Sequence, residues 1–302
     1  MIRYEKRAIL KFLLIAFALA WALQIGGLMS GSAVLYTIMV TACMFAPMIA
    51  AIAAGGGIRR EQSGICWAPA IRRAWKWYLA AWLGIIAVTA LASAFYFLLF
   101  PQAYDPAAGY FASLLPAGTS LKGMSPAAFA WTSIGTACLY APLINMMAAV
   151  GEEAGWRGWL IPALTSRLGR TRAMIAGGCI WGIWHWPLIL IGAYEYGTGY
   201  WGFPYTGALA MLAFTTAFGI LLSWLYERSG SIWVPALAHG TLNAVGVSGL
   251  YFLKAGTSGW LLGPSVGGLV SLIPTAVLAF LCLRDLKRMD RAAAVAHEEK
   301  SE

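Results

Sequence analysis

The chain has 302 residues, of which 60% are hydrophobic and only 11% charged, with a net charge of +9 and a mean hydropathy of +0.71. A soluble protein of this length needs a polar surface that this composition does not supply, so the soluble classes are excluded. The basic residues lie in short connections between apolar runs, not in a patch interleaved with aromatics, which argues against a nucleic-acid partner and for an integral membrane protein.

Taken in chain order, apolar runs near 9–29, 34–55, 77–100, 128–150, 172–192, 206–226, 232–250 and 261–283 predict about eight transmembrane helices. The expected fold class is all-α, a polytopic membrane helix bundle. The first run follows a basic start and precedes Ser30-Gly31-Ser32-Ala33, as a signal peptide would, but it is longer than a usual signal core and reads as a retained helix. The 56–76 connection, with Trp67, Trp75 and paired arginines, is expected along the membrane interface. The 101–127 connection is the longest irregular stretch. With the N-terminus in the cytoplasm, nineteen of the 21 Lys and Arg residues fall inside, among them Arg3, Arg59, Arg60, Arg157, Arg167, Arg170, Arg172 and Lys300. Only Lys122 and Lys254 fall outside. That asymmetry places both termini in the cytoplasm, and the plasma (inner) membrane is the expected location. The chain divides into N-terminal helices and loops (1–127), a helical core (128–250), and a last helix with a charged tail (251–302). Five widely spaced cysteines with no C-x-x-C suggest neither a disulfide framework nor a thiolate metal site.

Against this apolar background a few polar residues stand out. Nine Glu and three Asp occur in all, and Glu152 and Glu153 are the ones adjoining an apolar run. His185 and His239 are the histidines within spans, while His297 lies in the tail. An ionised group at a span centre costs roughly 2.5–3.5 kcal/mol, so such residues call for a compensating role. Glu153 and Arg157 stand at i, i+4 with the acid first, a structural ion pair. Glu152 is rotated about 100° from that pair and is free for chemistry. Trp181 and His185 share one helical face, His239 and Asn243 another.

Glu152-Glu153-x-x-x-Arg157, Trp181-x-x-x-His185 and His239-x-x-x-Asn243, in this order on successive helices, resemble the CPBP family, the CAAX-protease and bacteriocin-processing (Abi) intramembrane proteins. The family pattern carries Phe where this chain has Trp181, which is read here as a packing residue. The resemblance implies a glutamate-type endopeptidase with a water nucleophile. Glu152 would act as general base, His185 would hold the water, and His239 with Asn243 would stabilise the oxyanion. Glu153, Arg157 and Trp181 would be supporting residues. The substrate would be a prenylated CAAX-like tail or a bacterial peptide or membrane protein within the lipid bilayer, and the site would face the cytoplasmic leaflet. No cofactor is favoured, although Glu152, His185 and His239 also suit a zinc site. Gly246-Val247-Ser248-Gly249 matches a serine-peptidase pattern but has no histidine on a later span, and no span carries an aspartate for an aspartyl pair. A proton-coupled transporter would show repeated halves, which are absent. A non-catalytic scaffold or immunity protein would have no chemical need for the Glu/His/Asn set.

Overall fold

The computed structural model describes residues 5–55, 57, 64–116 and 118–298, with side chains through Arg291. Arg3, Tyr4, Arg59, Arg60, Glu299 and Lys300 lie outside the described residues, as does the side chain of His297. Among the described residues the fold is helical: α1 (Lys6–Met29), α2 (Ala33–Cys43), α3 (Ala46–Gly55), α4 (Ile71–Leu99), α5 (Gly109–Leu114), α6 (Pro126–Leu139), α7 (Ala141–Gly155), α8 (Ile161–Leu168), α9 (Arg170–Trp184), α10 (Trp186–Leu190), α11 (Tyr205–Ser229), α12 (Trp233–Val245) and α13 (Leu272–Glu298). The protein is therefore a polytopic helical bundle, as composition requires.

The spans differ from the hydropathy reading in number and outline. Among the described residues four stretches are long and apolar enough to cross a membrane: α1, α2 with α3, α4, and α11. A fifth arises if α6 and the helix after it, bent by 54°, count as one span. The helices α9 (15 residues) and α12 (13 residues) are shorter than the apolar runs that contain them. Their runs continue into α10 and into a 3-10 turn at Ser248–Phe252, respectively. The run at 261–283 becomes helical only from Leu272. The 101–127 stretch is less irregular than expected. It contains α5, and Asp105 caps its approach by accepting from the backbone N–H groups of Ala107 and Gly109 at 2.9 Å each.

The largest revision concerns 151–171, expected as a cytoplasmic connection. It is helix: α7 passes through a π-turn at Trp156–Leu160 directly into α8. Glu152 therefore lies mid-helix, about 24 Å from Leu168 along the axis at 1.5 Å per residue. His185 lies about 22 Å from Arg170 by the same measure, so the two residues share a depth. Arg157 is no loop cation either. It is buried at 2% exposure.

Small residues set how closely the central helices approach, as expected where lipid supplies no hydrophobic contrast between helix faces. Gly151 and Gly155 flank the two glutamates at G-x-x-x-G spacing, and a Cβ at Gly151 would stand 2.7 Å from the carbonyl oxygen of Met44. This lets the α2–α3 junction lie directly on α7. On the next face, Gly240 of α12 packs against α7, where a Cβ would come within 2.7 Å of the Pro142 oxygen. Gly178 and Gly182 bring α9 onto α11 in the same way. Helix α11 is the central post: 72% of its most apolar window is buried, against 17% for α4, whose exposed Leu79, Leu83 and Leu91 face outward. The described part of the 56–76 connection is tied into the bundle. Ile65 is fully buried, the Ile232 N–H donates to the Cys66 oxygen at 3.0 Å, and the Trp233 indole donates to the Trp67 oxygen at 2.8 Å. This segment seats the start of α12.

Candidate active site

The fold brings the sequence-selected residues onto three adjoining helices. Glu152 and Glu153 lie on α7, Arg157 in the π-turn that follows, Trp181 on α9 with His185 capping its end, and His239 and Asn243 on α12. A π-turn inside a helix often marks a functional site, because the extra residue re-aims the side chains on either side.

The two glutamates have different partners. Glu153 is fully buried, and its Oε1 accepts from Arg157 at 2.9 Å and from Nδ1 of His239 at 2.8 Å. The expected ion pair thus forms, and the same oxygen also fixes the histidine across the α7–α12 contact. A carboxylate only accepts, so Nδ1 carries the hydrogen and Nε2 of His239 is left for other partners. Glu152 is 2% exposed. Its Oε2 accepts from the Trp181 indole at 2.6 Å and from the Trp156 indole at 3.3 Å.

Trp181 therefore does more than the packing assigned to it from sequence. Its indole N–H holds Glu152, the Arg157 guanidinium lies 4.3 Å from its ring centre, and the His239 ring meets it edge-on at 5.2 Å. Its backbone oxygen also receives Nδ1 of His185 at 2.9 Å. A carbonyl only accepts, so His185 too is protonated on Nδ1 and presents Nε2. Both histidines are thus held in the same tautomer, by different acceptors.

His185, His239, Asn243 and Trp181 line a cavity of about 90 Å³ together with Tyr194, Glu195, Met211, Thr215 and Val266. Asn243 is exposed on its wall. Glu152 is not among the lining residues but is hydrogen-bonded to one of them, Trp181. Tyr194 and Glu195 were not selected from sequence, where they fall in a connection between spans. The available signal was an acidic residue between two tyrosines. Glu195 carries a positive φ of 69°, an uncommon conformation for a residue with a Cβ. Burial pushes its carboxyl up to about 7, although a hydrogen bond from the Ser265 hydroxyl opposes the shift.

Among the described residues no group of three His, Cys, Asp or Glu side chains is gathered so as to hold a metal ion. Glu152 is instead joined to Trp181 by a hydrogen bond, while His185 and His239 line the cavity.

Residues 130–245 match the family described as type II CAAX prenyl endopeptidase, Rce1-like. Every selected residue from Glu152 to Asn243 falls within the match. The helical core of the chain is thus similar to CAAX-protease (CPBP) family proteins. Among curated proteins, a CAAX prenyl protease 2 of Methanococcus maripaludis is 31% identical over 100 residues. That alignment covers 32% of this chain and 36% of the relative, so the chain spans about a third of the curated relative's length.

Proposed function

We propose that this chain is an intramembrane endopeptidase that hydrolyses a peptide bond with an activated water. The observation that carries the reading is the paired support of the site. Glu153 fixes His239, and Trp181 fixes both Glu152 and His185, around one small polar cavity. Such support is what a preorganised site needs, and helices held together only by polar contacts would not need it.

In this reading the water sits at the edge of Trp181, where His185 Nε2 accepts from it and Glu152 takes its proton as the oxygen attacks the carbonyl carbon. His239 and Asn243 face the carbonyl oxygen on which negative charge develops. Asn243 donates through its amide. His239 can join it only as the doubly protonated imidazolium, donating from Nε2 while the Glu153 carboxylate at Nδ1 balances the ring's charge. The departing nitrogen then takes the proton held by Glu152. No step uses a metal ion. The substrate is a prenylated CAAX-like tail or a bacterial peptide or membrane protein, reached from the bilayer.

The test is cleavage of a quenched farnesylated CAAX-type peptide, and of the same peptide without the lipid, by purified protein in detergent. Activity that disappears in Glu152→Ala and His239→Ala, with both variants folded and the wild type indifferent to a zinc chelator, is the expected result. Full activity in folded Glu152→Ala would sink the mechanism, and inactivation by the chelator would replace it with a metal-assisted one.

A further inference from the structure

The cavity has a second acidic wall that the mechanism above leaves unused. Glu195 reaches it from the loop between α10 and α11, opposite residues of α9 and α12. Three features hold the residue there. Ser265 donates to its Oε1. The Trp260 indole donates to its backbone oxygen at 2.6 Å. Gly267 leaves it room, since a Cβ at that position would stand 3.1 Å from Oε1. The left-handed backbone at a residue with a long side chain is a cost that this anchoring sustains.

Several other carboxylates have partners within the protein. Among the described residues Glu153, Glu227, Asp285 and Asp290 each pair with an arginine, and Asp105 takes two backbone N–H groups. Glu195 has no ion pair among the described residues, and no Lys or Arg lines its cavity. The groups around it are Ser265 and Gly267 on the 253–271 loop, His185 beyond α9, His239 and Asn243 on α12, and Tyr194 and Tyr196 on its own loop. Tyr194 is in turn within electrostatic reach of Tyr36, Cys43 and Glu152, none of them a cation. A partly buried carboxylate in a polar cavity without a protein cation is matched by a cationic guest. Cutting a peptide bond creates such a guest, because the released amino group becomes an ammonium ion in neutral water.

The geometry points to Glu195 as the binding residue for the amino group of the departing peptide fragment. This assignment rests on the endopeptidase reading for the origin of the amine, but amine binding itself does not depend on turnover. The small cavity, with room for a few waters, brings the carboxylate near the histidines where the bond would be cut. A charge-assisted contact of this type is expected to favour an ammonium over a neutral amide by roughly tenfold or more.

The experiment compares an apolar tripeptide carrying a free N-terminus with its N-acetylated form. Binding to the full chain in detergent is measured by competition and calorimetry for wild type, Glu195→Gln and Glu195→Asp. Expected is a preference of about tenfold or more for the free amine in wild type. Glu195→Gln, which retains an acceptor for Ser265, should abolish that preference while affinity for the acetylated peptide stays the same. Glu195→Asp should keep part of the preference. Should Glu195→Gln fail to fold, titration of wild type decides the matter: the preference must fade as pH falls below about 7, where the carboxyl is neutral. Equal binding of the two peptides by wild type, or a preference that survives Glu195→Gln, overturns the assignment. Cleavage assays on the same preparations separate the two readings. Amine preference without cleavage would remove the endopeptidase and leave the amine site standing, whereas cleavage without preference would remove Glu195 alone.

Discussion

Glu153 and His239 are joined by a hydrogen bond of 2.8 Å between residues 86 apart in the chain, and that contact ties α7 to α12. The same oxygen receives Arg157, so a single carboxylate balances a guanidinium and aims an imidazole. A pairing by helical spacing alone, Glu153 with Arg157, accounts for half of what the residue does.

Removing Glu153 should therefore damage both stability and chemistry, by separable routes. Glu153→Ala leaves Arg157 buried without its charge partner, a change that typically costs about 3–5 kcal/mol. Glu153→Ala with Arg157→Met should recover much of that stability while activity stays low, because His239 still lacks its orienting acceptor. A loss of roughly a hundredfold or more in kcat is expected in the double variant. Thermal melting and cleavage rates on the same samples check this. Recovery of activity together with stability would show that Glu153 serves the ion pair only.

Trp181 offers a narrower test. Trp181→Phe keeps a ring for Arg157 and His239 to rest on and removes only the N–H that holds Glu152. The variant should fold, melt within a few degrees of wild type, and lose about tenfold in kcat with little change in KM. Trp156→Phe alone should do less, given its longer contact of 3.3 Å. The two together should lose more than the product of the single effects, since Glu152 Oε2 is then left without a donor. Additive losses would mean that the indoles do not act on a shared carboxylate.

What was legible in the sequence was what stands out against an apolar background. Membrane helices announce themselves by composition, His185, His239 and Asn243 by being polar within apolar runs, and Glu152 by adjoining one. Three features were hidden for physical reasons. Glu152-Glu153 followed by Arg157 looks like the polar end of a span, but the arginine is neutralised inside the bundle, so the helix continues to Leu168. Trp181 counts as apolar in any hydropathy reading, and its indole N–H matters only once α7 is placed beside it. Glu195 reaches the cavity because two loops distant in sequence, 191–204 and 253–271, close over the ends of α9 and α12.

The continuity of α7 with α8 also bears on orientation. Arg167, Arg170 and Arg172 lie at one end of α9, and the cavity lies at the other, beneath Tyr194 and Glu195. Along α9, from Arg170 to Trp184, an ideal helix rises about 21 Å. With the basic ends in the cytoplasm, the cavity is expected to open towards the opposite side. Single cysteines at Arg172 and at Trp201, which is 86% exposed, should react with an impermeant maleimide from opposite faces of sealed vesicles once the five native cysteines are replaced. Labelling from the same face would refute this placement, and the face that labels Trp201 identifies the side on which the cavity opens.

The Glu195 carboxyl gives the protein a pH signature outside its membrane-spanning helices. Its value rises from the ordinary 4.5 to about 7 on folding because burial disfavours the charge. The folded state thus holds this proton more tightly than the unfolded chain does. The resulting stabilisation is complete below about 4.5, declines as pH rises, and is gone above about 7. Glu195→Gln cannot ionise and removes the term. The difference in melting temperature, Glu195→Gln minus wild type, should therefore increase between pH 4.5 and 7 and level off beyond. A flat difference over that range would mean that the carboxyl titrates alike in both states, and would deprive the loop of its buried acid.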